Sequence, residues 1–126
     1  MPLTAFDHVN LRTTRLPEMI AWYGAVLDMH PGKRPDFSFD GAWLYLGDRA
    51  LIHLVAVAEA RCFGRAATME HFAFRATGMA GFRETLESHK IPYSIDPVPG
   101  FPIVQVNFHD PDGNHIHVDF DAAENA

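Results

Sequence analysis

The chain repeats itself once, and that repeat restricts its fold more than any other feature. An offset of 63 residues lays His71 on His8, Arg75 on Arg12, Phe82 on Met19 and Leu86 on Tyr23. Each copy opens with a run that alternates apolar and polar side chains, FDHVNLRT and MEHFAFRA, and passes into apolar residues at helical spacing. A second histidine follows at nearly the same remove, His53 45 residues after His8 and His117 46 residues after His71. One spacing could be coincidence. The spacing together with a shared strand, helix, strand order is what two copies of one supersecondary unit produce. The pattern predicts an α+β fold of two βαβββ modules, about residues 5–57 and 69–121, in one domain over 1–126. Each module offers two histidines from two strands to one face of a sheet.

The run DPDGNHIHVDF carries the most chemistry. Strand side chains alternate, so His115, His117 and Asp119 share one face while Ile116, Val118 and Phe120 share the other. DPDGN ahead of it is a turn, with Pro111 setting one dihedral and Gly113 free to take positive φ. Leu16, Ile20, Tyr23 and Leu27 predict a helix from Pro17 to about Met29, with Pro17 suited to its first turn and Glu18 to its positive end. A second helix is expected from about Met79 to His89. AWLYLG and ALIHLVAV read as a hairpin through Gly47-Asp48-Arg49. HPGKRPD is expected to break the first helix, residues 58–68 to form a linker, and the proline-rich DPVPGFP to be a stiff connector.

A 126-residue domain can bury roughly two thirds of its unfolded surface, so it needs neither metal nor disulfide merely to hold together. A bound metal would therefore be functional. The single cysteine, Cys62, excludes an intrachain disulfide and Cys-rich zinc motifs. A net charge of -6 with scattered Lys and Arg disfavours nucleic acid and anionic membrane as partners. No segment is apolar for long enough to span a bilayer, and MPLTAFDH lacks a basic region followed by an apolar core, so a cytoplasmic location is expected.

DHVNLRT, the helix ending WYGAVLDM, EHFAFRA and above all DPDGNHIHV resemble the vicinal oxygen chelate superfamily. That superfamily includes glyoxalase I, fosfomycin-resistance proteins, bleomycin-binding proteins and extradiol dioxygenases. The resemblance covers nearly the whole chain. It implies paired modules forming a curved mixed sheet around a divalent metal ion, with ligand positions that match His8, His53, His71 and His117. It also implies a small-molecule substrate with adjacent oxygens and a homodimer that completes each site with residues of both chains. Imidazole ligands suit zinc, nickel, cobalt or iron, and manganese completes the set of candidate ions. The departures from the family pattern are specific. Glyoxalase I carries glutamates where this chain has His53 and His117. Extradiol dioxygenases want a carboxylate at the position of His117, whereas here the nearest on that strand face is Asp119.

Neutral histidines leave the charge of a divalent cation uncompensated, which strengthens its pull on a substrate oxygen and acidifies bound water. Such a site favours Lewis-acid chemistry, and it still needs a base, for which His117 left uncoordinated, His115 and Asp119 are the candidates. Three readings stay open: a glyoxalase-like lyase or isomerase, an iron-dependent catechol dioxygenase, and a metal-free binding protein of the bleomycin-resistance kind. Four matched histidines favour an enzyme. Among them His53, in an apolar strand, could instead orient a ligand, while His115 reads as a rim residue. His30, His89 and His109 read as surface. Trp43, Tyr45 and Phe108 are core by default, although Trp43 and Tyr45 could wall a pocket.

Overall fold

Alternation in the last strand has the expected result. Ile116, Val118 and Phe120 are buried at 3% exposure or less, and the ring of Phe82 lies 5.9 Å from that of Phe120 and 5.5 Å from that of Phe108. One sheet face therefore packs on a helix and leaves the histidine-bearing face clear of it. Each of these buried large side chains contributes about 1.5–3 kcal/mol on leaving water.

The computed structural model describes residues 1, 4–59 and 68–125, so Cys62 and most of the expected 58–68 linker lie outside the described residues. The chain divides into two compact units, Met1–Arg61 and Cys62–Ala126. The first unit runs Val9–Thr13 (β1), Leu16–Leu27 (α1), His30–Pro31 (β2), Gly41–Leu46 (β3) and Arg49–Ala56 (β4). The second repeats the order with Phe72–Arg75 (β5), Met79–Ser88 (α2), Ser94–Pro97 (β6), Ile103–His109 (β7) and His115–Asp121 (β8). A short 3-10 turn, Ala122–Asn125, follows. Each unit has a four-stranded mixed sheet, in the orders β1-β4-β3-β2 and β5-β8-β7-β6, in which only the β1–β4 and β5–β8 pairs are parallel. The two βαβββ modules are thus present.

In the first unit α1 presents Met19, Tyr23 and Val26 to a core shared with Leu11, Leu44, Ile52 and Leu54. Two strands depart from expectation. β2 is a two-residue pairing against Leu44 and Tyr45, and β6 pairs with β7 inside the proline-rich stretch. Both lie at sheet edges, where a proline forfeits no ladder bond, and this is why the composition read as a breaker and a connector. The first strand begins at Val9 rather than Phe6, which leaves His8 just ahead of it.

Candidate functional site

Register places the histidines of the second unit in rows. β5 and β8 pair Phe72 with Ile116 and Ala73 with His117, while β7 and β8 pair Asn107 with His117 and His109 with His115. The face away from α2 therefore carries His115, His117 and Asp119, with Asn107 and His109 alongside on β7. The first unit has the same frame: Asn10, His53 and Trp43 lie in register across β1, β4 and β3.

In each unit one histidine is half-exposed and its companion buried. His8 and His71 side chains are 39% and 40% exposed, whereas His53 and His117 are 7% and 6% exposed as whole residues. The structure brings His71 and His117 together, with ring centroids 4.7 Å apart and planes at 45°. His8 and His53 are closer still, at 3.8 Å, but stack at 8°, and Trp43 continues the stack beyond His53 at 4.0 Å and 12°.

A ring nitrogen binds a metal along a lone pair in the ring plane, so these angles decide what each pair can do. Inclined planes such as those of His71 and His117 share a line on which one ion could lie. Near-parallel planes do not, and His8 and His53 could share an ion only after one ring turned. Trp43 and Tyr45, with Asp7, His8, Arg49 and His53, line a hollow of about 520 Å3 in the first unit. The two aromatic residues thus wall a pocket.

Oxygen acceptors select the tautomers. His8 Nδ1 donates to Asp7 Oδ2 at 2.6 Å, His71 Nδ1 to Glu70 Oε1 at 2.9 Å and His117 Nδ1 to Asp119 Oδ1 at 2.5 Å. A carboxylate can only accept, so the proton sits on Nδ1 and Nε2 is the nitrogen left to present a lone pair. In His53 the roles reverse, since Nε2 donates to the Ala50 carbonyl at 3.0 Å. His115 has both nitrogens engaged, Nδ1 with Glu70 Oε2 at 2.8 Å and Nε2 with Asn107 Oδ1 at 2.7 Å.

The charges follow. Hydrogen bonds from His115 and then His71 hold the Glu70 carboxyl down at about 2. The His8 hydrogen bond lowers Asp7 in the same way. Burial, assisted by the nearby charge of His8, lowers the His53 imidazole below the ordinary histidine value.

Asp7 and Glu70 were absent from the sequence-level candidates, yet a signal for them existed. They stand 63 residues apart, the same offset that relates His8 to His71. DPDGN also does more than turn the chain. Asp110 Oδ1 accepts the amides of Asp112 and Asn114 at 2.9 Å each, and Gly113 takes φ 83°, which sets the start of β8.

Known proteins share both the frame and the sequence. The sequence model of the Glyoxalase/Bleomycin resistance protein/Dioxygenase superfamily matches residues 5–118, and this chain belongs to that superfamily. It is 30% identical over 123 residues to Glyoxylase I 4 of Arabidopsis thaliana, spanning 92% of this chain and 70% of that protein. Among solved structures, a glyoxylase/bleomycin resistance protein/dioxygenase domain of Frankia sp. EAN1pec matches with a TM-score of 0.79 at 19% identity, over 95% of this chain and 93% of that one. Lactoylglutathione lyase of Agrobacterium tumefaciens matches with a TM-score of 0.71 at 18% identity, over 95% and 96%. At such identities the two structures share the fold.

Proposed function

We propose that this chain is a metal-dependent enzyme with glyoxalase-like lyase or isomerase activity on a small molecule bearing two adjacent oxygens. It would work as a homodimer, with a divalent ion bound by histidines from the set His8, His53, His71 and His117. The observation that carries the reading is the way each of the four spends its nitrogens: one ring nitrogen is tied to an oxygen acceptor and the other is left to present a lone pair. Metal-binding histidines show this outer hydrogen bond as a rule, because it sets the tautomer and raises ligand basicity. When bound, the ion would polarise a substrate oxygen and ease loss of a proton from the neighbouring carbon.

The chain's own residues would manage that proton. Asp119 holds the Nδ1 proton of His117 and keeps the buried ring in one orientation, with Nε2 available to ligate or to accept a proton. His115, with both nitrogens facing acceptors, is less available as a base.

Metal analysis of protein purified without tag or chelator, followed by assay with lactoylglutathione and related 2-hydroxy and 2-oxo compounds, tests the reading. Zinc, nickel or cobalt with isomerase or lyase turnover is the expected result. Asp119→Asn should keep the metal and lose turnover by about 10- to 100-fold, since shape survives while the carboxylate charge does not. His117→Glu should also retain metal, because it restores an anionic ligand. Iron with oxygen consumption on catechols would move the protein to the dioxygenase branch, and ligand binding without metal would make it a binding protein.

A further inference from the structure

Two aromatic residues stand on the histidine face of the first unit, where the fold asks for none. Register pairs Trp43 with His53 and Tyr45 with Ala50, and the matching pairs of the second unit are Asn107 with His117 and His109 with His115. The same frame is thus built there with Asn107 and His109, while the core residues Ala42, Leu44, Ile52 and Leu54 alternate onto the other face. Resting on the preceding reading of the site, we infer that Trp43 and Tyr45 select its substrate. Beyond its two adjacent oxygens that substrate carries a flat, uncharged aromatic group, which enters the hollow that these two residues wall.

Both walls are set before a ligand arrives. The Trp43 indole is stacked 4.0 Å from the His53 ring at 12°, and the Phe37 ring lies 6.5 Å from it. The Tyr45 ring lies over Gly32, where an added Cβ would come within 2.7 Å of two ring carbons, and its hydroxyl donates to the Lys33 carbonyl at 2.6 Å. Tyr45 therefore offers the hollow aromatic surface, its one polar group already spent. Walls fixed in this way lose little freedom when a ligand binds, so the contact of ring on ring is retained as affinity.

Charge around the hollow points the same way. Its lining has two carboxylates, Asp7 and Asp48, against one guanidinium, Arg49, which already donates to the Phe6 carbonyl at 2.7 Å. An anionic substituent meets net repulsion there, which disfavours lactoylglutathione with the two carboxylates of its peptide part. An uncharged ring has no charge to desolvate on entering. The volume of about 520 Å3 lies within the usual range for small-molecule pockets. His8 and His53 line it as well, which sets the aromatic walls beside two of the proposed metal ligands.

A matched pair of ligands tests the inference. Hydroxyacetone and α-hydroxyacetophenone carry the same adjacent carbonyl and hydroxyl and differ only in methyl against phenyl. Ligand-observed NMR titration of the full chain, once with zinc and once with chelator, gives a dissociation constant for each. The phenyl compound should bind at least about 10-fold tighter in both conditions, since the walls need no ion. Trp43→Asn, which copies the second unit at this position, should cut that ratio to about threefold or less, and Trp43→Phe should keep it. Tyr45→Asn should lower it as well, and carries the test should Trp43→Asn fail to fold. A carboxyl group at the 4-position of the phenyl ring should weaken binding.

A ratio near one in the parent chain, with zinc tightening both ligands, overturns the inference and leaves the preceding reading standing. A 10-fold ratio with neither ligand responding to zinc upholds the aromatic selection and counts against the metal-dependent reading instead. A ratio that survives in both Trp43→Asn and Tyr45→Asn puts the phenyl group elsewhere, and the inference falls. Equal or tighter binding of the 4-carboxyl compound overturns the restriction to uncharged rings. Melting curves in chelator check that each variant is folded.

Discussion

Asp7 and Glu70 determine which nitrogen His8 and His71 show to their surroundings, and His53 answers to a different control. It is buried between His8 and Trp43, and burial lowers its imidazole below the ordinary value of 6.5. The unfolded chain therefore takes up this proton before the native one does. The resulting stability is fully present above pH 6.5 and declines as the pH falls toward the lowered native value. Urea unfolding in the presence of chelator should show this decline, and His53→Gln should flatten part of it; an unchanged pH profile in the variant would contradict the assignment. The paired histidines were legible in the sequence because a repeat offset needs no coordinates. Their carboxylate partners carried the same offset but looked like ordinary surface acids. The stacking of His8 on His53 was not legible, because alternation assigns a face to a side chain and says nothing about ring orientation.

Helix α2 begins on Gly78 at φ 85°, and its first amides are capped from far along the chain: Gly78 N and Met79 N donate to Glu124 Oε1 at 3.0 and 2.9 Å. A carboxylate there satisfies two otherwise unpaired donors and opposes the positive end of the helix. Glu124→Ala should cost about 1 kcal/mol, read as a lower urea midpoint with an unchanged slope, and Glu124→Gln should lose less because an oxygen acceptor remains. At this scale α1, α2, β1, β3, β4, β5 and β8 were legible from periodicity and turn residues. β2 and β6 were not, because two residues carry no period and edge prolines imitate a connector. The Glu124 cap was invisible too, since its partner lies 46 residues away, beyond any local capping pattern.

Across the whole molecule, one backbone plan carries two chemistries. The first unit lines its histidine face with an aromatic stack of His8, His53 and Trp43, whereas the second lines it with hydrogen-bonded Glu70, His115, Asn107 and Asp96. Metal bound only by the native state at a free concentration of 100 times Kd should add about 2.7 kcal/mol, which for a unit of this size raises the melting temperature by on the order of 10 °C. Circular dichroism melts with and without chelator measure the rise, and equal curves at confirmed metal loading would contradict it. Trp22 and Trp43 both lie in the first unit, so tryptophan fluorescence through the same melts reports whether that unit shares the stabilisation.

The dependence of α2 on Glu124 bears on how the protein is made. Every strand pairing of the first unit is available once Ala56 has been synthesised, but β5 has no partner until β8 exists, and α2 has no cap until Glu124 does. At translation speeds of about 5–20 residues per second the interval lasts several seconds. Through it the nascent chain carries a finished first half beside an unpaired strand bearing Phe72 and Phe74. Vectorial synthesis thus gives two nearly equivalent modules unequal histories, and the later one passes through a stage in which apolar side chains await a partner strand not yet made.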